Sequence, residues 1–215
     1  MSVTVIRPPA FEPISLEQAR QHLRVDVYPG SPGGHPDDDL IMRAIVAARE
    51  RAEEITRRAL VEQGLRMVAP DWYVEGWRRT ARHGIDLLRP PLISVDQVSY
   101  YDDANVLQVV DPSNYFVEDT QPVQRLRWAS SFAYPCAYVR ADAVRVDYTA
   151  GYAGQASPVI DQEGAASGIP ASIINGMLLL IGDMYEHREA TIVGSISTVL
   201  AAADALFESK RIHNF

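Results

Sequence analysis

The apolar and polar positions of the chain change period twice. Over 16–24, "LEQARQHLR", Leu16, Ala19 and Leu23 recur at helical spacing, and Ser15 with Gln18 has the S-x-x-Q spacing of a capping box. A short helix over 16–24 is therefore predicted as the first ordered element. "YPGSPGGHP" (28–36) cannot continue it and reads as a loop. "DDDLIMRAIVAARERAEEITRRAL" (37–60) then carries one apolar stripe, Ile41, Ala44, Ile45, Ala48, Ala52, Ile55 and Ala59. Asp37–Asp39 offer an N-cap and negative charge at the positive end of that helix. Glu53–Arg57 and Glu54–Arg58 have the i,i+4 spacing of favourable ion pairs. A helix over 38–62 is predicted, and its alanines allow a second helix to approach closely.

From residue 63 the period shortens to two. "MVAPDWYVEGW", "GIDLLRPPL", "ISVDQVSYYDDANVLQVVDPSNYFVED", "QRLRWAS" and "AVRVDYTAGY" are rich in β-branched and aromatic residues and are separated by turn residues. They predict an antiparallel β unit of roughly five to seven strands. Within it "YYDDANVLQVV" reads as a hairpin with Asp102–Asn105 at the tip. After the small-residue loop "GQASPVIDQEGAASG" the helical period returns. In "IPASIINGMLLLIGDMYEHRE", Ile173, Ile174, Met177, Leu178, Leu180, Ile181, Met184 and Tyr185 cover most of the circumference, and Pro170 suits the first helical position. A helix over 170–187 is predicted, and an all-round apolar helix must be buried on several sides. Val199, Leu200, Ala203, Leu206 and Phe207 give a last amphipathic helix over 198–210, with Lys210 and Arg211 near its negative end.

The predicted class is α+β: a small helical bundle of about four helices with an inserted antiparallel β unit between the second and third. The expected segments are 1–62 and 169–215 for the helical core and its tail, 63–153 for the β insertion and 154–168 for a flexible loop. Ile41, Ile45, Ile55, Met177, Leu180 and Ile181 are the expected helix-packing residues. The segment from Ala205 to Phe215 is expected to stand outside the subunit's core as a docking element. Its candidates are Leu206, Phe207, Lys210, Arg211 and Phe215, and its basic end on an acidic protein favours an acidic partner.

Composition narrows the function classes. The chain is 47% hydrophobic and 22% charged, enough for a core, and its net charge is −8 with a pI near 5.1. That speaks against an open duplex-binding surface, though not against a protein that DNA slides past. The single cysteine, Cys136, permits no internal disulfide, so nothing points to secretion. The N-terminal "MSVTVIRPPAFEP" lacks the apolar run of a signal peptide, and the run around "MLLLIG" is too short to span a bilayer. A soluble cytoplasmic protein without a membrane partner is expected.

Candidate chemistry is sparse. His22, His35, His83, His187 and His213 show no metal-ligand spacing, and "GSPGG" lacks the spacing of a phosphate loop. "PDDDL" could hold a divalent cation, but three acids opening a helix are more simply a cap. "VEDT" and "YYDD" could pair carboxylates, but both lie where Asp serves turns. "WRRTARH", with Arg78, Arg79, Arg82 and His83, is a basic cluster that suits phosphate or an acidic partner, or more simply a solvated loop. Cys136 with a distant histidine has no local support as a nucleophile, and a lone cysteine among aromatics is expected to pack. No catalytic residue, cofactor or metal is expected.

"ISLEQARQHLRVD" followed by "DDDLIMRAIVAARERAEEITRRAL" resembles the opening of the head–tail connector (adaptor) proteins of long-tailed phages and prophages. "VRVDYTAGYAG" followed by "IPASIINGMLLLIGDMYEHRE" resembles their second signature, a strand ending in "AGY" that leads to a Pro-started apolar helix. The β-rich middle is similar to a longer branch that carries an insertion. The loop at 154–168 is longer than in that pattern, and the tail lacks its Leu-Pro start and "PYR" ending. The resemblance implies a structural ring of about twelve subunits in the virion neck, built in the host cytoplasm. Its implied partners are the portal protein, a tail-side stopper or completion protein and further copies of itself in the virion ring, with a monomer in solution left open and DNA passing only through the lumen. It also implies that the C-terminal segment docks on the portal. Two other readings stay open: a small terminase-like packaging protein, which would need a basic face, and an enzyme with a β-lined pocket, which would need a convergent polar site.

Overall fold

The computed structural model describes residues 2–26, 34–72, 84–119, 123–152, 168–187 and 196–213. In chain order these form β1 (Ser2–Arg7), α1 (Leu16–Leu23), α2 (Asp38–Thr56), β2 (Gln63–Ala69), β3 (Gly84–Asp86), β4 (Leu92–Tyr101), β5 (Leu107–Val109), β6 (Tyr115–Glu118), β7 (Arg125–Trp128), β8 (Val144–Ala150), α3 (Ala171–Glu186) and α4 (Ile196–Glu208). The class is α+β, with the antiparallel β unit β2–β8 between α2 and α3.

The chain divides into two units. The described residues of Met1–Ala10 and Glu62–Gly151 form a β unit, and those of Phe11–Val61 and Tyr152–His213 form a helical unit. In the β unit a five-stranded sheet has the order β1-β2-β8-β4-β5 and a three-stranded sheet the order β3-β7-β6, with every neighbour antiparallel. Central strands β2 and β8 alternate in register, so Leu65, Met67, Val144, Val146 and Tyr148 are all buried. The helical unit buries Ile14, Ala19, Ile41, Ala44, Ile45, Ala48, Ala52, Leu60, Val61, Ile173, Met177, Leu180, Ile181, Ala203 and Phe207 in one core. Helix α3 is its post and packs on α1, α2 and α4.

Local signals place the helix starts. Ser15 Oγ accepts from Gln18 N–H (3.2 Å) and Gln18 Oε1 accepts from Ser15 N–H (2.9 Å), which completes the capping box. Pro170 is the N-cap of α3 and Ala171 its first residue, one later than expected. The hairpin tip at 102–105 joins β4 to β5, and Asn105 takes the left-handed conformation such turns use.

Two expectations need correction. The first ordered element is β1, not α1: "SVTVIR" is a strand on the edge of the large sheet. Helix α2 ends at Thr56, not at 62, because Arg57 adopts φ 56. Arg57 is the C-cap and Arg58 lies beyond it, so the helical i,i+4 geometry expected of Glu54–Arg58 is lost. Glu53 accepts from Arg49 Nη1 (3.2 Å) and from the Leu60 N–H (2.9 Å), while Arg58 donates to the Lys210 carbonyl (3.0 Å) and Tyr152 Oη (3.4 Å).

Candidate functional site

In the helical unit the acids that open α2 act as ties. Asp38 pairs with Arg20 of α1 and accepts from the His35 N–H (2.8 Å), so its carboxyl lies below the ordinary range, chiefly through the Arg20 hydrogen bonds. Asp37 Oδ2 accepts from Tyr185 Oη (2.8 Å) near the end of α3. Asp37 is the N-cap residue, but its side chain makes no capping bond. Among the described residues no group of three or more His, Cys, Asp or Glu is placed to hold a metal ion.

Deeper in this unit, Arg49 is 8% exposed and donates to Glu12 (2.7 Å) and Glu53 (3.2 Å). Burial pulls the Arg49 pKa down most strongly, yet Glu12, Glu53 and Glu50 together hold it above the ordinary value. Such a network is tolerable in a core only because each charge meets its opposite. Arg51 bridges to Asp204 of α4 through two bonds of 3.1 and 2.8 Å. Gly176 faces Phe207 so closely that a Cβ there would stand 2.6 Å from the ring.

The structure brings Ile41, Ile45, Met177, Leu180 and Ile181 into the helical core with Ile55 half-buried against it. It divides the tail candidates. Phe207 is fully buried and Leu206 half-buried, while Lys210 is exposed and Arg211 pairs with Glu208 (2.7 Å). Ile212 is 2% exposed, and its N–H donates to the Thr56 carbonyl (3.1 Å). The expectation that 205–215 stands apart from the subunit's core is thus overturned for Phe207 and Ile212. The last turn of α2 leaves free carbonyls, and the tail satisfies one of them. Phe215, the cluster Arg78, Arg79, Arg82 and His83, and nearly all of the 154–168 loop lie outside the described residues.

The β unit carries its polar side chains in local service. Asp102 Oδ1 accepts from the Ala104 and Val106 N–H groups (3.0 and 2.9 Å) and Oδ2 from Gln108 (2.8 Å), so the "YYDD" acid shapes a turn. Glu118 of "VEDT" pairs with Arg127 (2.7 Å), and Asp119 accepts from Gln124 (3.2 Å). Asp142 sits between Arg140 and Arg145, whose hydrogen bonds pull its pKa down to about 2. Both guanidinium groups lie over the Tyr101 ring, at 3.7 and 4.6 Å from its centre. Tyr148 Oη donates to the Leu88 carbonyl, and burial pushes this phenol well up, against a smaller downward pull from Arg89.

Trp72 is the hub of an aromatic cluster, with ring centres of Tyr100, Trp128 and Phe132 each 5.1 Å away. A groove of about 670 Å³ lies alongside, lined by Pro70–Trp72 and 134–141. Cys136 is exposed in its wall, not packed as expected. Its polar neighbours Asp71 and Arg140 already serve the Trp72 N–H and Asp142. No described helix is long and apolar enough to cross a membrane.

Sequence reasoning missed the surface made by the hairpin and the loop beside it. Val106, Leu107, Val109 and Val139 are 53%, 45%, 61% and 96% exposed. Arg140 Nη1 donates to Asn105 Oδ1 (3.0 Å) and the Tyr138 N–H to the Tyr101 carbonyl (2.8 Å), which holds the loop against the hairpin. Apolar strand residues read as core in a sequence, so this exposure carries no sequence signal.

No family model matches the chain, and no curated protein matches it. Solved structures do. A chain in the neck of an empty GTA particle computed with C6 symmetry aligns over 98% of this chain and 95% of its own, with TM-score 0.71 and 21% identity. A chain in the virion of a native gene transfer agent (GTA) particle aligns over the same shares with TM-score 0.69 and 20% identity. A chain in the neck of a native GTA particle computed with C12 symmetry aligns over 100% of this chain and 98% of its own, with TM-score 0.65 and 18% identity. The likeness is one of fold, and it runs through both units.

Proposed function

We propose that the protein is a structural head–tail connector of a phage-like particle, forming a ring in the neck between portal and tail through which DNA passes. The observation that carries this reading is the end-to-end match of both units to chains of phage-like neck and virion structures. The helical core and its inserted β unit recur there together, in the same order. The acidic balance agrees with a lumen that lets phosphate slide past without holding it. The ring is the expected partner arrangement, with the portal on one side and a tail-side stopper on the other. No catalytic role is assigned.

The reading is tested in the particle itself. Removing the gene should leave DNA-filled heads and free tails that do not join, and gold-labelled antibody should mark the neck of intact particles. Normal tailed particles without the gene, or label on the capsid shell or tail tip, would overturn it.

A further inference from the structure

Two surfaces of this chain complement each other, and neither is covered by the described residues. The first is the hairpin tip of the β unit. Residues 103–109 are all exposed, a run that includes Val106, Leu107 and Val109, and Val139 is held beside them. Scattered exposed apolar residues are ordinary, but these stand together on an open sheet edge. Strand β5 is that edge, and it carries neither Lys nor Pro, the usual protections against pairing. The rim is acidic, with exposed Asp103 at the tip and exposed Asp111 beyond the strand.

The second surface is the end of the helical unit where α2 stops and the tail returns. Arg58 holds the Lys210 carbonyl and Ile212 the Thr56 carbonyl, which gathers Arg57, Arg58, Lys210 and His213 at one place. Cations near the end of a helix suit its dipole, and that explains Arg57 and Arg58 locally. The dipole of α4 suits Lys210 equally, two residues beyond its end, but it does not explain why these cations gather with His213 at one exposed place on a chain of net charge −8. Half-buried Leu206 lies in the last turn before them.

We infer that the acidic, apolar hairpin tip of one copy seats on the basic end of the helical unit of a second copy. The centre of the contact is Val106, Leu107, Val109 and Val139, and its charged rim is Asp103 and Asp111 against Arg57 and Lys210, with His213 beside them. The two patches differ, so the contact is heterologous. A heterologous contact repeated around an axis gives a ring when its rotation closes and a filament when it does not, and the ring proposed above requires the closed case. The inference rests on the ring proposed above and names the contact that repeats in it.

One feature of the composition makes a clean test. Lys210 is the only lysine of the 215 residues. A zero-length carbodiimide reagent joins lysine to carboxylate, so it reports which acids Lys210 touches. In the purified full-length chain at rising concentration, an intermolecular Lys210 link to Asp103 or Asp111 is expected. Asp103→Lys alone should lower the yield of the Lys210 link about threefold, the size of a lost rim pair, and Lys210→Glu, which removes the only lysine, is the no-link control. The doubly swapped chain, D103K/K210E, should restore the link with its polarity reversed, an outcome no folding defect produces. Circular dichroism checks that each variant folds. A link from Lys210 to any other acid, a link only within one chain, a link only to the portal protein, or no link at any concentration would overturn the inference. Neck labelling with no such link would overturn this contact alone, and the link without neck labelling would overturn the neck reading alone.

Discussion

Gly176 shows how a single position sets the spacing of two helices. It lets α3 come so near α4 that the Phe207 ring lies where a side chain would begin. Alanine is the better helix former by about 1 kcal/mol, so propensity favours replacing the glycine. Overpacking a closed core costs about 1–3 kcal/mol, and Phe207 is fully buried with nowhere to move. Packing should win, and Gly176→Ala is expected to lose about 1 kcal/mol in urea unfolding. Phe207→Ala should lose about 3–5 kcal/mol. In that background Gly176→Ala should change sign and stabilise, because the obstructing ring is gone. A stabilising Gly176→Ala in the otherwise unaltered chain would show that the ring yields.

At the scale of elements, local signals were legible and non-local ones were not. The capping box, the stripe of α2 as far as Ile55 and the apolar faces of α3 are each written within a few residues, and each is found in the fold, α2 shorter than expected and α3 one residue late at its start. Strand β1 was invisible because its partner β2 lies some sixty residues away and gives it no local turn signal. The end of α2 was misplaced because "RRAL" reads as good helix. The helix stops at the left-handed Arg57, and the buried Glu53 carboxylate then takes the Leu60 N–H, a contact seven residues on. The inward return of the tail is hidden for a similar reason, since the Thr56 carbonyl that takes the Ile212 N–H lies more than 150 residues earlier.

The same scale gives a pH prediction. The Asp142 carboxyl is held at about 2 by Arg140 and Arg145, against an ordinary 3.8. A lowered carboxylate adds stability that is fully present above the unfolded value and is lost as pH falls through the folded one. The β unit should therefore weaken between pH about 4 and about 2. Asp38, Asp102, Asp111 and Glu118 are also lowered, so the whole chain should lose stability in acid. Asp142→Asn should flatten the Asp142 share of that slope in chemical unfolding followed by tryptophan fluorescence. An unchanged slope would show the pair to be fully screened.

For the whole molecule, the entry and exit of the β unit are adjacent. Val61 and Tyr152 form a parallel bridge, so the chain leaves the helical unit and returns to it at one place. Excising 62–151 requires only a short linker, but it strands β1, whose partner is β2. Removing 1–10 as well should leave a helical product by circular dichroism with a cooperative thermal transition. Loss of both would mean that the helical core depends on the β unit.

That arrangement also dictates an order of events on the ribosome. The helical core draws on residues from Ile14 to Phe207, with Ile212 buried beyond them, so it cannot close until those last residues have emerged. The described residues of the β unit end at Gly151 and have all emerged about sixty residues sooner. For that interval α1 and α2 are exposed with their apolar stripes unmet, and a folded sheet hangs between them and the peptidyl-transferase centre. The insertion therefore matures first and the scaffold that carries it last, so a nascent chain stalled before α3 would present a finished β unit on an unfinished base.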